Sequence, residues 1–260
     1  MDTTTPEIPT DLLSHKAKQP GRLRGKSTLV LETRHAQMIF EGRKSDLKKG
    51  KAEIVGLKKF ASLLRSIWQA ASNDDPYADW WLLKIEKSLE VASSDIDDQI
   101  NKFKKMLSQE QNLQHEVSHS IEPIQLELRF SIPYAYQGAK LLMMHDELVR
   151  TLLTANHVGV LDNETVQRAL HHSGRRLRGV FQSVTGYRFT GLNREEVQSN
   201  NAKAIKAISD MGAVPEKIMD KTLRAGFMPE GLIFAKAGSG YFAQTDKIKK
   251  QHNKTLDLDQ

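Results

Sequence analysis

The sequence contains no cysteine and no long run of apolar residues. None of its 260 residues is Cys, which excludes disulfide bonds and cysteine-ligated metal sites and favours a reducing compartment. No apolar stretch approaches the roughly 20 residues that a membrane-spanning helix needs. Residues 1–20 are polar and lack the apolar core of a signal peptide. We therefore expect a cytoplasmic protein that is neither exported nor inserted into a membrane.

Charge and hydrophobic content indicate a folded, moderately basic protein. Hydrophobic residues make up 39% of the chain, enough for a sizeable core. The 38 Lys and Arg outnumber the 32 Asp and Glu, for a formal net charge of +6. Such an excess suits a polyanionic partner.

Periodicity and turn residues divide the chain into three parts. Residues 1–20, with three Pro and few apolar residues, predict a disordered arm. Residues 21–225 predict a single, mostly helical domain, and residues 226–260 a flexible tail. Within the domain, apolar residues at helical spacing predict a bundle of three helices over about 56–118. A strand and two helices are expected over about 123–183.

The three bundle helices are expected to be separate. The first ends at the turn formed by residues 73–76, and a break near Ser94 divides the second from the third, which continues toward Val117. Trp80 and Trp81 lie within the apolar stripe of the second helix, so we expect them in the core or at an interface rather than stacked on bases.

Residues 124–130 form an alternating segment, Ile-Gln-Leu-Glu-Leu-Arg-Phe. Apolar residues at every second position are typical of a half-buried strand. Two predicted helices follow, one starting at Pro133 and one capped by Asp162. Such a short strand needs a partner strand. The partner is either a second copy of the chain, which we favour, or residues 27–34 of the same chain, which also predict a strand.

The two pairings differ in which side chains could contact DNA. A two-stranded ribbon fits the major groove, where Gln, Glu and Arg can bond base edges. Pairing of the later strand with a second copy would present, in duplicate, Gln125, Glu127 and Arg129. A ribbon built on the earlier strand would present Thr28, Val30 and Glu32. A strand paired inside the chain could also have a polar face that is merely solvated.

Two segments without any acidic residue predict phosphate contacts. Residues 16–31 contain five Lys and Arg, and residues 165–194 contain six Arg. A solvated helix face normally carries both charge signs, whereas runs of one sign favour contacts to the DNA backbone. The alternative is pairing with carboxylates from elsewhere in the fold. The expected phosphate-binding residues are Arg22, Arg24, Lys26, Arg168, Arg175, Arg176 and Arg178.

Two enzymatic motifs are present in weak form. His115-Glu116-Val117-Ser118-His119 matches the zinc hydrolase motif H-E-x-x-H, but polar residues flank it and Pro123 closes the segment. Residues 21–27 are one residue short of a phosphate-binding loop and precede a strand instead of a helix. We therefore expect no enzymatic activity, no metal and no cofactor.

Four segments together resemble proteins of integrating conjugative elements and conjugative plasmids. They include the string Asp-Asp-Pro-Tyr-Ala-Asp-Trp-Trp and lie at residues 52–61, 74–86, 146–159 and 185–189. Over about residues 22–212 the chain resembles the AcaB-type transcriptional activators of conjugative transfer. The resemblance implies ribbon-helix-helix dimers that read DNA bases with alternate strand residues.

Sequence and resemblance together predict a mainly helical, ribbon-helix-helix-like homodimer with a short two-stranded β-ribbon and an added helical bundle. The expected function is sequence-specific activation of conjugative transfer genes. The expected partners are double-stranded DNA and either RNA polymerase or another regulator. The alternative is a non-enzymatic scaffold protein of the conjugation machinery.

Overall fold

The computed structural model describes residues 25–46, 48, 50–109 and 115–229. Over these residues the chain forms eight α-helices and one two-stranded sheet, which confirms the predicted fold class. The elements in chain order are β1 (Ser27–Leu31), α1 (Arg34–Glu41), α2 (Leu57–Ser72), α3 (Pro76–Leu107), β2 (Ile124–Leu128), α4 (Pro133–His157), α5 (Asn163–Gln182), α6 (Arg194–Gln198), α7 (Ala202–Met211) and α8 (Glu216–Met219). The predicted arm and residues 230–260 of the predicted tail lie outside the described residues.

β1 and β2 form an antiparallel ribbon within one chain. Leu29 lies opposite Leu126, and Leu31 lies opposite Ile124. Leu29 and Leu31 are each 1% exposed and face the core formed with α1 and α4. The expectation that a second copy supplies the partner strand is therefore wrong, and pairing inside the chain is confirmed. The physical reason is that both strands have an apolar face, and internal pairing sets the two faces on the same helical core, where Leu29, Leu31 and Leu128 are buried and Ile124 stays 37% exposed.

The junction between β1 and α1 is fixed from two sides. Thr33 is the N-cap of α1, and its hydroxyl accepts a hydrogen bond from the backbone N–H of Ala36. Asp146 in α4 accepts hydrogen bonds from the backbone of the same junction. The ribbon is thereby attached to the central helix α4 by polar as well as apolar contacts.

α3 is one continuous helix of 32 residues. Asp75 caps it by accepting the backbone N–H of Tyr77 at 2.8 Å. The predicted break near Ser94 is wrong, because the buried positions Leu89, Ala92 and Ile96 keep helical spacing through the two serines. Despite this length, none of the helices in the described ranges is long and apolar enough to cross a membrane.

The expected core position of the tryptophan pair is confirmed. Trp81 is 8% exposed, and its indole N–H donates to the carbonyl of Ser183 at 3.2 Å. Trp80 is half-buried and meets Trp81 edge-on, with ring centroids 5.7 Å apart. The amine of Lys84 lies over both rings. The rings are therefore engaged within the fold.

α4 passes through the middle of the molecule and packs on α2, α3 and α5. It begins with Pro133, as predicted, and ends before Gly159, whose φ of 80° is accessible to glycine at little cost. Gly138 lies where α4 meets α2, and a Cβ at this position would be 2.9 Å from Cε1 of Phe60. The predicted cap of α5 is confirmed, since the Asp162 carboxylate accepts the N–H of Thr165.

The C-terminal helices are anchored by the acidic residues at the start of α3. Arg194, 6% exposed, forms ion pairs with Asp74 and Asp79. Arg224 contacts Asp79 at 3.1 Å. The hydroxyl of Tyr187 donates to Asp75 at 2.8 Å. The Asp-Asp-Pro-Tyr-Ala-Asp string is thus the attachment point for the chain that follows α5.

Candidate nucleic-acid interface

The outer face of the ribbon presents polar side chains from both strands. Thr28 lies directly opposite Glu127, and Val30 lies opposite Gln125. All four residues are exposed, because the alternate positions on each strand face the core. The two sets that the sequence offered as rivals therefore share one surface, to which β1 contributes Thr28 and Val30, and β2 contributes Gln125 and Glu127.

Arg129 extends this face just beyond the end of β2 and pairs with Glu127. Its Nε and Nη2 donate to the two carboxylate oxygens of Glu127 at 3.2 and 3.1 Å. The hydrogen bonds and the charge of Glu127 raise the pKa of Arg129. Both side chains are solvent-exposed, so the pair adds little stability and can rearrange when a polar ligand approaches.

Glu32, the last residue of the rival set, has other partners. Its carboxylate accepts the N–H of Ser120 at 2.9 Å and lies 3.3 Å from Nη1 of Arg150. Burial alone would raise the pKa of Glu32, but the Ser120 hydrogen bond and the Arg150 charge outweigh it and keep that pKa below its ordinary value. Glu32 therefore ties the segment before β2 to α4.

The arginines of α5 have different surroundings. Arg176 contacts the carboxylate of Asp95 at 3.4 Å, and Arg168 lies 3.9 Å from Glu164 one helical turn earlier. These two arginines thus pair with carboxylates of the same chain, which was the alternative to phosphate contacts. Arg175 and Arg178 have no carboxylate partner among the described residues. Arg175 is exposed, whereas Arg178 is half-buried.

The remaining predicted phosphate ligands lie before β1. Lys26 is exposed and directly precedes the first strand of the ribbon. It is therefore a neighbour of the ribbon along the chain. Arg22 and Arg24 lie outside the described residues.

Comparison with known proteins identifies the family. The model of the family "Transcriptional regulator AcaB" matches residues 19–230. This chain belongs to the AcaB family.

The AcaB fold is also found in a solved structure. The crystal structure of selenomethionine-containing AcaB from uropathogenic E. coli matches with a TM-score of 0.53 and 18% sequence identity. The match covers 76% of this chain and 95% of that one. At this identity the likeness shows a common fold. No curated protein matches the chain by sequence.

The H-E-x-x-H segment of this AcaB-family chain does not have the geometry of a zinc site. Residues 115–120 are not helical, so the two histidines do not share a helix face. The ring of His119 instead contacts Glu32 at 3.0 Å and Arg150 at 2.9 Å. Within the described part of the chain, no three His, Asp or Glu side chains are grouped to hold a metal ion.

Proposed function

We propose that this AcaB-family regulator binds double-stranded DNA sequence-specifically and activates conjugative transfer genes of a mobile element. The observation that carries the proposal is the outer face of the ribbon, where Gln125, Glu127 and Arg129 stand exposed beside Thr28. A two-stranded ribbon with polar outward side chains has the width and the chemistry to enter the major groove.

Three side chains of this face have defined base preferences. Gln125 can bond the N6 and N7 edge of adenine, and Arg129 the O6 and N7 edge of guanine. Arg129 would exchange its bonds to Glu127 for bonds to guanine, which releases Glu127 to accept from the N4 amine of a neighbouring cytosine. The ion pair therefore keeps both groups oriented on the same face until DNA replaces one of the partners.

Phosphate contacts would supply most of the affinity. Lys26 beside the ribbon and Arg175 on α5 are free cations among the described residues and are the foremost phosphate ligands. Arg168 and Arg176 can add to them by giving up exposed carboxylate partners, with Arg178, Arg22 and Arg24 as further members of the set. Each phosphate neutralised releases counterions, so binding would weaken steeply with salt.

The protein would act as a homodimer on a palindromic site in the cytoplasm. One chain already carries a complete ribbon, so a dimer presents two ribbons to two half-sites about one helical turn apart. Activation would then require contact with RNA polymerase or another regulator. Neither a cofactor nor a metal is needed for this function.

Gel shifts and footprints on promoter regions of transfer genes test the proposal. We expect Arg129→Ala and Gln125→Ala each to cost about 1 to 3 kcal/mol on the specific site and little on random DNA. Arg175→Ala should weaken binding to all sequences and lower the salt slope by about one. Lys87→Ala, which removes an exposed charge on α3, is the control and should change neither property.

One outcome would contradict the proposal. If the protein shows no footprint on any such region at low salt, sequence-specific DNA binding is excluded. The scaffold role in the conjugation machinery would then be the better interpretation.

A further inference from the structure

A basic cavity lies away from the ribbon face, between α1, the loop that follows α1, α4 and α5. Its volume is about 310 Å³, at the lower end of the range for small-molecule sites. Four basic side chains line it: His35, Arg43, His145 and Arg178. No Asp or Glu is among the lining residues. The cavity therefore carries positive charge from Arg43 and Arg178 and opens to solvent on the side of the exposed His35 and Arg43.

His145 contributes a buried polar atom without a partner. The side chain is 1% exposed, and its Nδ1 has no hydrogen-bond partner among the described residues. Burial, together with the nearby His35 and Arg178, lowers the pKa of His145 to about 4, so the ring is neutral near pH 7. An unpaired buried nitrogen costs free energy, and the ring that carries it forms part of the cavity wall.

Arg178 contributes a charge without a counterion. It forms no ion pair among the described residues, although it is half-buried. The guanidinium lies over Gly174, where a Cβ would be 3.1 Å from Nη1. The missing side chain at Gly174 gives the guanidinium room at the cavity wall. A partly desolvated arginine of this kind favours an anion, and its planar fork matches a carboxylate.

The rest of the wall is apolar. It is formed by Met38, Ile39, Ile54 and Leu170. An inorganic anion would leave this wall in contact with water, whereas an organic anion would cover it. The two halves of the cavity therefore select a molecule that is charged at one end and apolar at the other.

We propose that this cavity binds a small organic carboxylate whose charged end pairs with Arg178 and His145 and whose apolar end packs on Ile39, Ile54 and Leu170. The carboxylate accepts from the guanidinium fork and from Nδ1–H of the neutral imidazole. A molecule of the size of benzoate fits within the 310 Å³. The inference does not rest on the proposed DNA binding, because the two share only Arg178 and the cavity is tested without DNA.

Titration of the purified protein with three probes tests the site. Benzoate carries both required features, benzyl alcohol has the same shape without the charge, and inorganic phosphate has charge without an apolar part. We expect benzoate to shift the His145 imidazole NMR signals with a Kd below about 1 mM and to raise Tm by about 2 to 4 °C at saturation. Benzyl alcohol and phosphate should bind at least about tenfold more weakly.

Two variants locate the binding group. Arg178→Gln should weaken benzoate binding at least about tenfold, whereas Lys87→Gln, which removes an exposed charge on α3, should leave it unchanged. Equal binding of benzyl alcohol would show an apolar cavity only, and equal binding of phosphate an unspecific anion site. Either outcome, or no saturable benzoate effect in the wild type, overturns the proposal.

Discussion

The carboxylate of Asp146 in α4 accepts hydrogen bonds from both the backbone and the side chain of Thr33, at the start of α1. One oxygen of the Asp146 carboxylate accepts the N–H of Thr33 at 3.0 Å and its hydroxyl at 2.5 Å. The other oxygen accepts the N–H of Glu32 at 2.8 Å. Asp146 is only 4% exposed and its three hydrogen bonds are partly buried, so water could replace the carboxylate only in part.

Removing the Asp146 carboxylate should destabilise the folded protein. We expect Asp146→Ala to lower the free energy of unfolding by about 2 to 4 kcal/mol, because three donors lose a charged acceptor in a partly buried position. Glu147→Ala is a matched control, since Glu147 forms an exposed ion pair with Lys104 and should cost about 1 kcal/mol or less. Urea denaturation measures both values. Equal losses would show that the Asp146 contacts are not specifically stabilising.

Two helical glycines should respond in opposite directions to alanine. Gly138→Ala places a Cβ 2.9 Å from Cε1 of Phe60, and we expect a loss of about 1 to 3 kcal/mol. Gly179→Ala meets no atom within 4 Å and should gain about 0.5 to 1 kcal/mol from helix propensity. Thermal unfolding of the two variants gives the comparison. A stabilising Gly138→Ala would show that α2 and α4 are not in such close contact.

The buried imidazole of His145 makes stability depend on pH. Its pKa is about 4 in the folded protein and about 6.5 in the unfolded chain, so the unfolded chain binds the extra proton in that range. Stability from this group is complete above about pH 6.5 and decreases as the pH falls toward 4. The loss by pH 4.5 should be about 2 to 3 kcal/mol. His145→Gln should lose less stability than the wild type over this interval, and an identical pH profile would contradict the assignment.

Arg194 should prove structural although it belongs to the acid-free arginine run. It is 6% exposed and neutralises Asp79, which has a fully buried side chain. We expect Arg194→Ala to cost about 3 to 5 kcal/mol, since it leaves that carboxylate without its main partner. Arg188→Ala removes an exposed arginine from the same run and should cost well under 1 kcal/mol. Comparable costs for the two variants, measured by urea denaturation, would mean that the ion-pair network is not formed.

Local sequence patterns located most of the helices and strands, but they did not show which strands pair. Alternation located β2, and Pro133 and Asp162 marked the starts of two helices, because these signals depend on neighbouring residues. The two serines in α3 looked like a break, but packing of its apolar face keeps the helix continuous. Tertiary contacts of this kind override weak local preferences.

Contacts between residues far apart in the chain explain the other differences between the predictions and the structure. Arg194 is 115 residues from Asp79 and 120 from Asp74, so nothing near it in the chain revealed the ion pairs. The same holds for the ribbon, in which Val30 lies opposite Gln125. Both strand patterns were recognised, but their register follows from a common core and not from either segment alone.

The ribbon also sets an order of events during synthesis. Ser27 pairs with Leu128, about 100 residues later in the chain, and closing so long a loop is slow. On the ribosome, β1 emerges with α1 to α3 well before its partner exists, and its open edge is a site for unwanted association. We expect the ribbon to form only after residue 128 has emerged, so a nascent chain arrested before residue 124 would expose an unpaired strand to chaperones.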